Sequence, residues 1–475
     1  MSKQGIKVVI CDLDKTLCVH DTFILALLCL MRRSPWELTK AFFLSFRGWS
    51  TFKNKVFADA RLEPDQLVWN ESVLSRVKTC RETGVSVVLL TASPNPLAVK
   101  VAQHIGLFDL AVGSERENLK GSRKLNWIRA HYGDLPFEYI GDSRADGPIW
   151  NAASSVVYVG HSPEIARGYV SEGAGFEHLA PNYGRPSLNA WLAALRWKQW
   201  AKNLLVFVPL VTSHSFSAPA FAGAGLAFAL FSICASLGYV LNDLLDIISD
   251  SQHPRKRKRP FASGQLEPLS GLLLFAILGV TAAAGLSLLP ATSATAVVIY
   301  TVTSFLYSLF LKRIATLDLF ILAGFYLVRI IAAAGTIGVE LSHWLLAFST
   351  FAFLSLASLK RSTELLRIRQ AKGKINESRG YTLEHLETTR IFGIGSALIS
   401  SLVFCLYLDS STVRGLYLQP EWLWFNLPIY LFWFARLWNL QPTMPTIEDP
   451  FSFILKDWVS YVCGGLMIWL FALSV

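Results

Sequence analysis

The stretch YVLNDLLDIISDSQHPRKRKRPFASG, residues 239–264, decides how the second half of the chain is interpreted. It ends a long apolar segment, and Asn242, Asp246 and Asp250 follow at intervals of four, so a helix would place them on one face. Asp243 lies beside that face. Carboxylates this close repel one another unless a cation lies among them, and the alternative is a merely hydrated helix end. The pattern favours a divalent metal site.

Cations follow these carboxylates directly. His253, Lys256 and Arg259 add positive groups beside the expected metal, a combination suited to a diphosphate held through Mg²⁺ and charge-assisted hydrogen bonds. Because both signs of charge occur together, a ligand site explains the stretch better than a run that only orients the chain in a membrane. The other cations of the run are expected to have that topological role: Arg255, Arg257 and Lys258.

Nine apolar segments predict a polytopic membrane domain. They lie near residues 198–216, 218–241, 269–288, 290–311, 315–337, 341–359, 390–409, 420–438 and 456–474. Basic residues concentrate after the second, fourth and sixth segments, and the positive-inside rule makes those loops cytosolic. We therefore expect a multi-pass protein of the inner (plasma) membrane, with the N-terminal head and the active sites cytosolic and the C-terminus on the opposite side.

Composition agrees with a membrane protein. Of the 475 residues, 52% are hydrophobic and 16% charged, with a mean hydropathy of +0.40, which is too apolar for a soluble chain. The formal charge of +10 suits anionic lipid or phosphorylated substrates. Because the densest basic run lies between apolar segments, no nucleic-acid partner is expected. The seven cysteines lack CxxC spacing, so neither a disulfide framework nor a zinc site is predicted.

The first 175 residues or so have the pattern of a soluble α/β domain. Helical stretches alternate with short apolar runs, which predicts a parallel sheet whose ligands bind beyond the carboxyl ends of its strands. The predicted strands are Val8 to Cys11, Val85 to Leu90, Leu110 to Gly113, Phe137 to Ile140 and Val156 to Gly160. Polar residues follow three of them: Asp12, Asp14, Thr91, Asp142 and Asp146.

These polar residues, with Lys120 and Lys124 between them, would suit a Mg²⁺ and phosphate site. Asp12 and Asp14 are two residues apart, a spacing at which one carboxyl pKa rises or a cation binds. Taken singly, each residue is as readily explained as a strand end or a helix cap. The set as a whole favours the site.

Its order and spacing resemble the haloacid dehalogenase superfamily, through DxDxT at residues 12–16, Thr91, a lysine, and GDxxxD at residues 141–146. The resemblance implies a Rossmann-like fold in which Asp12 attacks a phosphoryl group and Asp14 protonates the leaving oxygen and then activates water. It implies Mg²⁺ held by Asp12, Asp142 and the Asp14 backbone carbonyl, with Asp146 in support. The phosphate-binding residues are expected to be Thr91 and Lys124, the lysine that opens a predicted helix.

Residues 19–80 are expected to form a helical cap that selects substrates. Their Phe and Trp content leaves a second interpretation open, in which the apolar faces lie on the membrane. Lys15 stands where the family often has Gly, which would narrow the entrance to the site.

The membrane part resembles the UbiA superfamily of intramembrane prenyltransferases, whose signature is NDxxDxxxD in an all-α bundle of nine spans. Its details resemble decaprenyl-phosphate phosphoribosyltransferases through LRWKQWAKNLLVFVPL at residues 195–210, YSLFLK at 307–312 and LKRSTEL at 359–365. The stretch where aromatic prenyltransferases carry a second aspartate-rich motif offers only Asp318, which suits two anionic substrates better than an aromatic acceptor. The resemblance implies Mg²⁺ ligands at Asn242, Asp243, Asp246 and Asp250. The substrate contacts it implies are Gln199, Lys202, Asn203, His253, Lys256, Arg259, Tyr307, Lys312, Asp318, Arg329, Lys360 and Arg361.

Together the resemblances imply a bifunctional enzyme. The membrane part, residues 191–475, would transfer 5-phosphoribose from phosphoribosyl diphosphate to a polyprenyl phosphate, releasing diphosphate. The head, residues 1–175, joined by a linker at 176–190, would remove the 5′-phosphate to give polyprenyl-phosphoryl-ribose for cell-envelope glycans. Two alternatives stay open: a quinone- or haem-type aromatic prenyltransferase with a separate phosphatase head, and a regulatory head without turnover. Polyprenyl length and oligomeric state also stay open, a homo-oligomer being one option.

Overall fold

A computed structural model describes residues 5–115, 118–181, 183–370, 380–441 and 450–475. The chain forms two compact units. The first combines Met1–Leu195 with Tyr239–Ala276, and the second combines Arg196–Gly238 with Ile277–Val475. The aspartate-rich stretch therefore belongs to the same unit as the α/β head.

The head is built on a six-stranded parallel sheet with the strand order β3-β2-β1-β4-β5-β6. The central strand β1 is buried along its length and places Val9 beside Val87 on one side and Glu138 on the other. The strands are β1 Val8–Cys11, β2 Ser86–Pro94, β3 Leu110–Ser114, β4 Phe137–Gly141, β5 Ser155–Val159 and β6 Gly175–Leu179. The predicted parallel sheet is confirmed, and β6 lies in the stretch expected to be a linker.

Helices surround the sheet and form a cap between β1 and β2. The cap consists of α1, α2 and α3, which pack around Ala26, Leu30, Phe52 and Val56. The helices of the head are α1 Thr22–Arg33, α2 Pro35–Leu44, α3 Trp49–Ala60, α4 Glu71–Glu82, α5 Asn95–Ile105, α6 Ser122–Tyr132, α7 Gly147–Ala152, α8 Glu164–Arg167 and α9 Leu188–Leu195.

The outer surface of the cap is aromatic. Its side chains are between 57% and 81% exposed, and they come from α2, α3 and the turn that joins them: Trp36, Phe42, Phe43, Phe46 and Trp49. An exposed apolar patch of this kind is unusual on a soluble domain. A helical cap and an apolar outer face thus occur together, so the two interpretations of residues 19–80 are compatible.

The helices after the head are mostly long and apolar. They are α10 Val208–Thr212, α11 Ala218–Leu245, α12 Ile247–Ser251, α13 Pro268–Leu286, α14 Ala291–Leu309, α15 Leu317–Ile337, α16 His343–Gln370, α17 His385–Leu408, α18 Ser411–Leu416, α19 Asn426–Leu440, α20 Pro450–Ile454 and α21 Trp458–Ser474. Within the described residues, six are long and apolar enough to cross a membrane: α11, α13, α14, α15, α16 and α17.

The prediction of nine spans is therefore wrong for three segments. In the first segment, near 198–216, 3₁₀ structure over Trp197–Phe207 precedes the helix α10, which has only five residues. In the eighth, a 3₁₀ turn over Pro420–Phe425 precedes α19, which has 15 residues. The ninth forms α21 with 17 residues, which at about 1.5 Å per residue falls short of a bilayer core about 30 Å thick. Hydropathy alone does not reveal where a helix begins and ends.

Small residues allow close helix packing in the second unit. A Cβ added at Gly285 of α13 would lie 2.2 Å from the end of the Leu230 side chain of α11, so the two helices approach each other closely there. Ser293 of α14 donates to the Ala332 carbonyl of α15 at 2.8 Å. Such contacts are typical of helices associating in a bilayer, where small residues and hydrogen bonds replace the hydrophobic effect.

In the first unit, the chain after the aspartate-rich stretch packs on the head. Phe261 is fully buried, and its carbonyl lies 2.7 Å from His20 Nε2. Gly264 has φ +83°, and an added Cβ would lie 2.3 Å from the Val19 side chain. The loop between α12 and α13 thus packs closely against the head.

Candidate active sites

The order of the strands brings the carboxylates of the head together. Asp12 follows β1 and Asp142 follows β4, and the carboxyl ends of these neighbouring parallel strands meet at one edge. Asp146 ends a short 3₁₀ turn after β4. Oxygens of Asp12, Asp142 and Asp146 lie within 4.8 Å of one another, and no other group of three such side chains in the described part of the chain comes this close.

Asp12 is held by two contacts. Its Oδ1 accepts a hydrogen bond from the Leu13 amide at 2.7 Å, and its Oδ2 lies 2.6 Å from Lys124 Nζ. Burial raises the pKa of Asp12 to about 7, an effect that Lys124 reduces and Asp146 reinforces. Burial by itself would lower the pKa of Lys124, but the carboxylates of Asp12 and Asp146 raise it. Lys124 is therefore a buried ammonium aimed at Asp12.

The carboxylate group fits a hard divalent cation. Its three oxygens are the donors that Mg²⁺ prefers, and burial also raises the pKa of Asp142 well above its usual range. Burial and mutual repulsion thus disfavour the charged forms of these carboxyl groups, and a bound divalent cation would stabilise them. Tyr139 extends the arrangement, because it donates to Asp146 Oδ1 at 3.0 Å and accepts from Lys124 at 3.1 Å.

Asp14 is oriented separately from this group. Its Oδ1 accepts from the Thr22 amide at 2.7 Å and the Thr22 hydroxyl at 2.6 Å, and its Oδ2 accepts from the Ser93 hydroxyl at 2.9 Å. Thr22 is the first residue of α1, so the first residue of the cap helices contacts Asp14 directly. Neither Thr22 nor Ser93 was among the predicted site residues.

Thr91 lies within β2 and not after it, because the strand continues to Pro94. Its Oγ1 accepts from the Ser93 amide at 3.0 Å. Two residues apart on a strand, Thr91 and Ser93 share one face, and this spacing is the signal that could have identified Ser93. Lys53 of the cap helix α3 also reaches this strand and donates to the Ala92 carbonyl at 2.7 Å. Lys120, the other lysine considered for the phosphate site, is exposed.

The aspartate-rich stretch is not one continuous helix. The helix α11 ends at Leu245, and Asp246 precedes α12. Asn242 donates to Asp246 Oδ2 at 3.0 Å, which keeps the predicted spacing of four. Backbone hydrogen bonds from the Asp246 amide to the Asn242 carbonyl at 2.9 Å and from the Asp250 amide to the Asp246 carbonyl at 2.7 Å continue this spacing of four. That Asn242, Asp246 and Asp250 together hold a metal ion stays a prediction.

Arg259 joins Asp243 and Asp250. Its Nη1 lies 3.2 Å from Asp243 Oδ1 and 2.5 Å from Asp250 Oδ2. Lys256 Nζ lies 3.7 Å from Asp250 Oδ1, and His253 is exposed. Two carboxylates thus converge on a single cationic nitrogen, which indicates that this donor set suits a cation.

In the second unit, Arg361 lies in a buried polar cluster. Its Nη2 is 2.6 Å and its Nε 2.8 Å from Asp318 Oδ2, and Tyr307 donates to Asp318 Oδ1 at 2.6 Å. The ring of Tyr381 lies 5.3 Å from the guanidinium, and Glu364 is a second carboxylate partner. Arg361 and Asp318 are 1% and 0% exposed, so each depends on the other for compensation of its charge.

Arg329 forms a second buried cluster in that unit. It donates from Nε to Asn203 Oδ1 at 2.7 Å and from Nη2 to Tyr300 Oη at 3.1 Å. Asn203 donates in turn to Ser232 Oγ at 2.9 Å. Tyr300 and Ser232 were not predicted, and nothing local in the sequence marks them. The other predicted substrate contacts of this unit are half-buried: Gln199, Lys202, Lys312 and Lys360.

Comparison with known proteins matches each part of the chain to a family. Residues 204–454 match the UbiA prenyltransferase family, and residues 9–149 match the haloacid dehalogenase-like hydrolases. The protein y4nM of Sinorhizobium fredii is 32% identical over 98% of this chain and 90% of its own length.

Two further relatives match about half of the chain. The nodulation protein NoeC of Azorhizobium caulinodans is 36% identical over 46% of this chain and 72% of its own length. The decaprenyl-phosphate phosphoribosyltransferase of Mycolicibacterium smegmatis is 33% identical over 44% of this chain and 69% of its own length. The match to the UbiA family covers more than half of the chain, and six of the described helices are long and apolar enough to cross a membrane. The chain therefore belongs to the UbiA prenyltransferase family and carries a haloacid dehalogenase-like domain at its N-terminal end.

Proposed function

We propose that the chain is a bifunctional membrane enzyme that makes polyprenyl-phosphoryl-ribose. Its membrane part transfers 5-phosphoribose from phosphoribosyl diphosphate to a polyprenyl phosphate, and its head removes the 5′-phosphate from the product. The observation that carries the proposal is the buried group of Asp12, Asp142, Asp146 and Lys124, a phosphoryl-transfer constellation within a chain of the UbiA family.

The phosphoribosyl donor is supported by the relatives and by charge. Several matching relatives are decaprenyl-phosphate phosphoribosyltransferases. Donor and acceptor are both anionic, and the chain supplies cations in and after its aspartate-rich stretch, among them Lys256 and Arg259. In the transfer, the bond between C1 of ribose and the diphosphate breaks, a phosphate oxygen of the lipid bonds to C1, and diphosphate leaves.

In the phosphatase reaction, a carboxylate oxygen of Asp12 attacks the 5′-phosphorus. The ribose oxygen leaves with a proton from Asp14, and an aspartyl-phosphate remains. Asp14 then takes a proton from water, which attacks the same phosphorus, and inorganic phosphate leaves Asp12 free. Ser93 and Thr22 suit Asp14 to this role because they hold both of its oxygens in place.

Lys124 and Thr91 are the proposed phosphate ligands of the head. Lys124 is already 2.6 Å from the attacking carboxylate, so its ammonium would lie beside the phosphoryl oxygens. Mg²⁺ bound by the carboxylates of the head, and by Asn242, Asp243, Asp246 and Asp250 in the transferase, would neutralise phosphate charge and improve the leaving group. The carboxylates of the head lie close enough together for such an ion, whereas Asp243 and Asp250 contact Arg259 and would have to exchange it for the ion.

The proposed location is the inner (plasma) membrane, with the head on the cytosolic side. The basic residues that follow α11 and α14, and those in the last third of α16, support this orientation. The location of the C-terminus on the opposite side stays a prediction.

The test is a direct product analysis. Purified full-length protein is incubated with Mg²⁺, phosphoribosyl diphosphate labelled in the ribose, and polyprenyl phosphate, and the lipid fraction is separated. We expect a labelled lipid without a 5′-phosphate. The absence of any labelled lipid would overturn the proposed transfer.

Two variants assign the steps. Asp12→Asn is expected to accumulate labelled lipid that keeps its 5′-phosphate, whereas Asp134→Asn, an exposed aspartate of the head, serves as its control. Asp246→Asn is expected to lose transfer and to keep hydrolysis of a soluble phosphate ester. Dephosphorylation at the normal rate in Asp12→Asn would remove the head from the pathway.

The second candidate is prenyl transfer to an aromatic acceptor. It is favoured by the family's own description as prenyltransferases. A parallel incubation with a labelled prenyl diphosphate and an aromatic acceptor separates the two, because only one of the labels enters lipid-soluble product.

A further inference from the structure

The cap of the head reaches the aspartate-rich stretch through Arg32. This residue lies near the end of α1, and its Nη1 is 2.9 Å from Asp246 Oδ1. The same nitrogen donates to Ser249 Oγ at 3.1 Å and to the Leu245 carbonyl at 3.4 Å. Arg32 thus binds at the break between α11 and α12, where the transferase motif lies.

Further contacts fix the two segments to each other. Lys15, next to Asp14, has φ 55° and forms an ion pair with Glu267 at 2.9 Å. Gln252 donates to the Asp65 carbonyl at 3.3 Å, and the loop is packed on Val19 through Gly264. Lys15 is the residue that departs from the family's frequent Gly. Its ion pair with Glu267 explains why a lysine is useful at this position.

Arg32 completes a pattern of charge in the motif. Arg259 contacts Asp243 and Asp250, and Arg32 contacts Asp246, so each of the three aspartates has a guanidinium partner. A divalent cation bound by these carboxylates would compete with the guanidinium groups. Arg32 is about half-exposed, so it is able to turn from Asp246 towards an anion on the same metal.

We propose that Arg32, a residue of the phosphatase cap, belongs to the transferase site and binds the diphosphate of its donor. With Asp246 engaged by a divalent cation, the Arg32 guanidinium would be released from that carboxylate and would make charge-assisted hydrogen bonds to diphosphate oxygens. This inference rests on the proposed function only in requiring a diphosphate donor, and it holds for phosphoribosyl and prenyl diphosphates alike.

The experiment measures binding by the full-length protein in nanodiscs, in an Asp142→Asn background that weakens the metal site of the head. Mn²⁺ alone is titrated by the loss of its free electron paramagnetic resonance signal. Inorganic diphosphate is then titrated at saturating Mn²⁺. The variants are Arg32→Gln and Arg32→Lys, and the matched control is Arg33→Gln, the next residue on the same helix and also exposed.

The two titrations are expected to move in opposite directions. Arg32→Gln should bind Mn²⁺ severalfold more tightly, because no guanidinium competes for Asp246, and should bind diphosphate about tenfold more weakly. Arg32→Lys should fall between Arg32→Gln and the unchanged protein, and Arg33→Gln should match the unchanged protein in both titrations.

Two outcomes would overturn the proposal. One is Arg32→Gln binding both probes as the unchanged protein does. The other is a loss of both affinities together, since that indicates a residue that merely supports the fold. Because neither titration uses phosphoribosyl diphosphate, failure of the labelled-lipid assay and failure of this inference are distinguishable.

Discussion

Replacement of Gly113 by alanine should disable the phosphatase without touching any of its functional side chains. Gly113 lies in β3, where an added Cβ would come within 2.5 Å of the Ser93 carbonyl oxygen. It would also lie 2.6 Å from the Asn95 amide nitrogen and 2.7 Å from its Cα. Non-bonded heavy atoms prefer separations of about 3.5 Å, so the end of β2 would have to move by about 1 Å.

The displacement reaches Asp14 through Ser93. The Ser93 hydroxyl donates to Asp14 at 2.9 Å, and a shift of about 1 Å exceeds hydrogen-bonding distance. Misplacement of catalytic groups by this amount costs roughly 100-fold in rate. Overpacking of this kind costs about 1–3 kcal/mol in unfolding free energy, because the obstructing atoms belong to the backbone and no side-chain rotation removes them.

The assay is the initial rate of phosphate release from a soluble phosphate monoester. Gly168→Ala is the control, since its added Cβ has nothing within 4 Å and its φ of −67° suits alanine. Transfer of label into lipid, measured on the same preparation, checks that the membrane part is folded. A Gly113→Ala variant with the unchanged rate and thermal stability would refute the coupling between β3 and Asp14.

Three other perturbations have expected outcomes. Lys124→Met should reduce phosphate release about 100-fold or more in the monoester assay and leave lipid labelling intact, because it removes the ammonium 2.6 Å from the nucleophile. Arg361→Met should cost about 3–5 kcal/mol in detergent unfolding, because Asp318 stays buried without its cation, whereas Arg414→Met, at a pair 74% and 81% exposed, should change stability little. Burial lowers the pKa of His20 from 6.5, so its contribution to stability is present above about pH 6.5 and lost as the pH falls; His20→Gln should therefore flatten the decline in melting temperature between pH 7.5 and 5.5.

The sheet and its carboxylates could be predicted because their determinants are local. Apolar runs predicted strands, and Asp12 and Asp142 each follow one directly. The neighbouring positions of β1 and β4 then bring the two together without further information. Ser93 was missed because β2 runs four residues beyond its predicted end at Leu90.

Other features depend on contacts between distant parts of the chain. Arg32 and Leu245 are 213 residues apart in sequence, and nothing near Arg32 distinguishes it from Arg33. The break after Leu245 was not expected either, because a spacing of four predicts a helix whether or not the helix continues. Likewise, the three shorter apolar segments have suitable hydropathy, and only their 3₁₀ turns and lengths separate them from spans.

The packing of Gly264 and Phe261 against the head has a consequence for synthesis of the chain. A ribosome completes Val19 and His20 long before it reaches this loop, and α11 is made in between. The newly made head therefore emerges with an uncovered surface, which is closed only after α11 has been passed to the membrane.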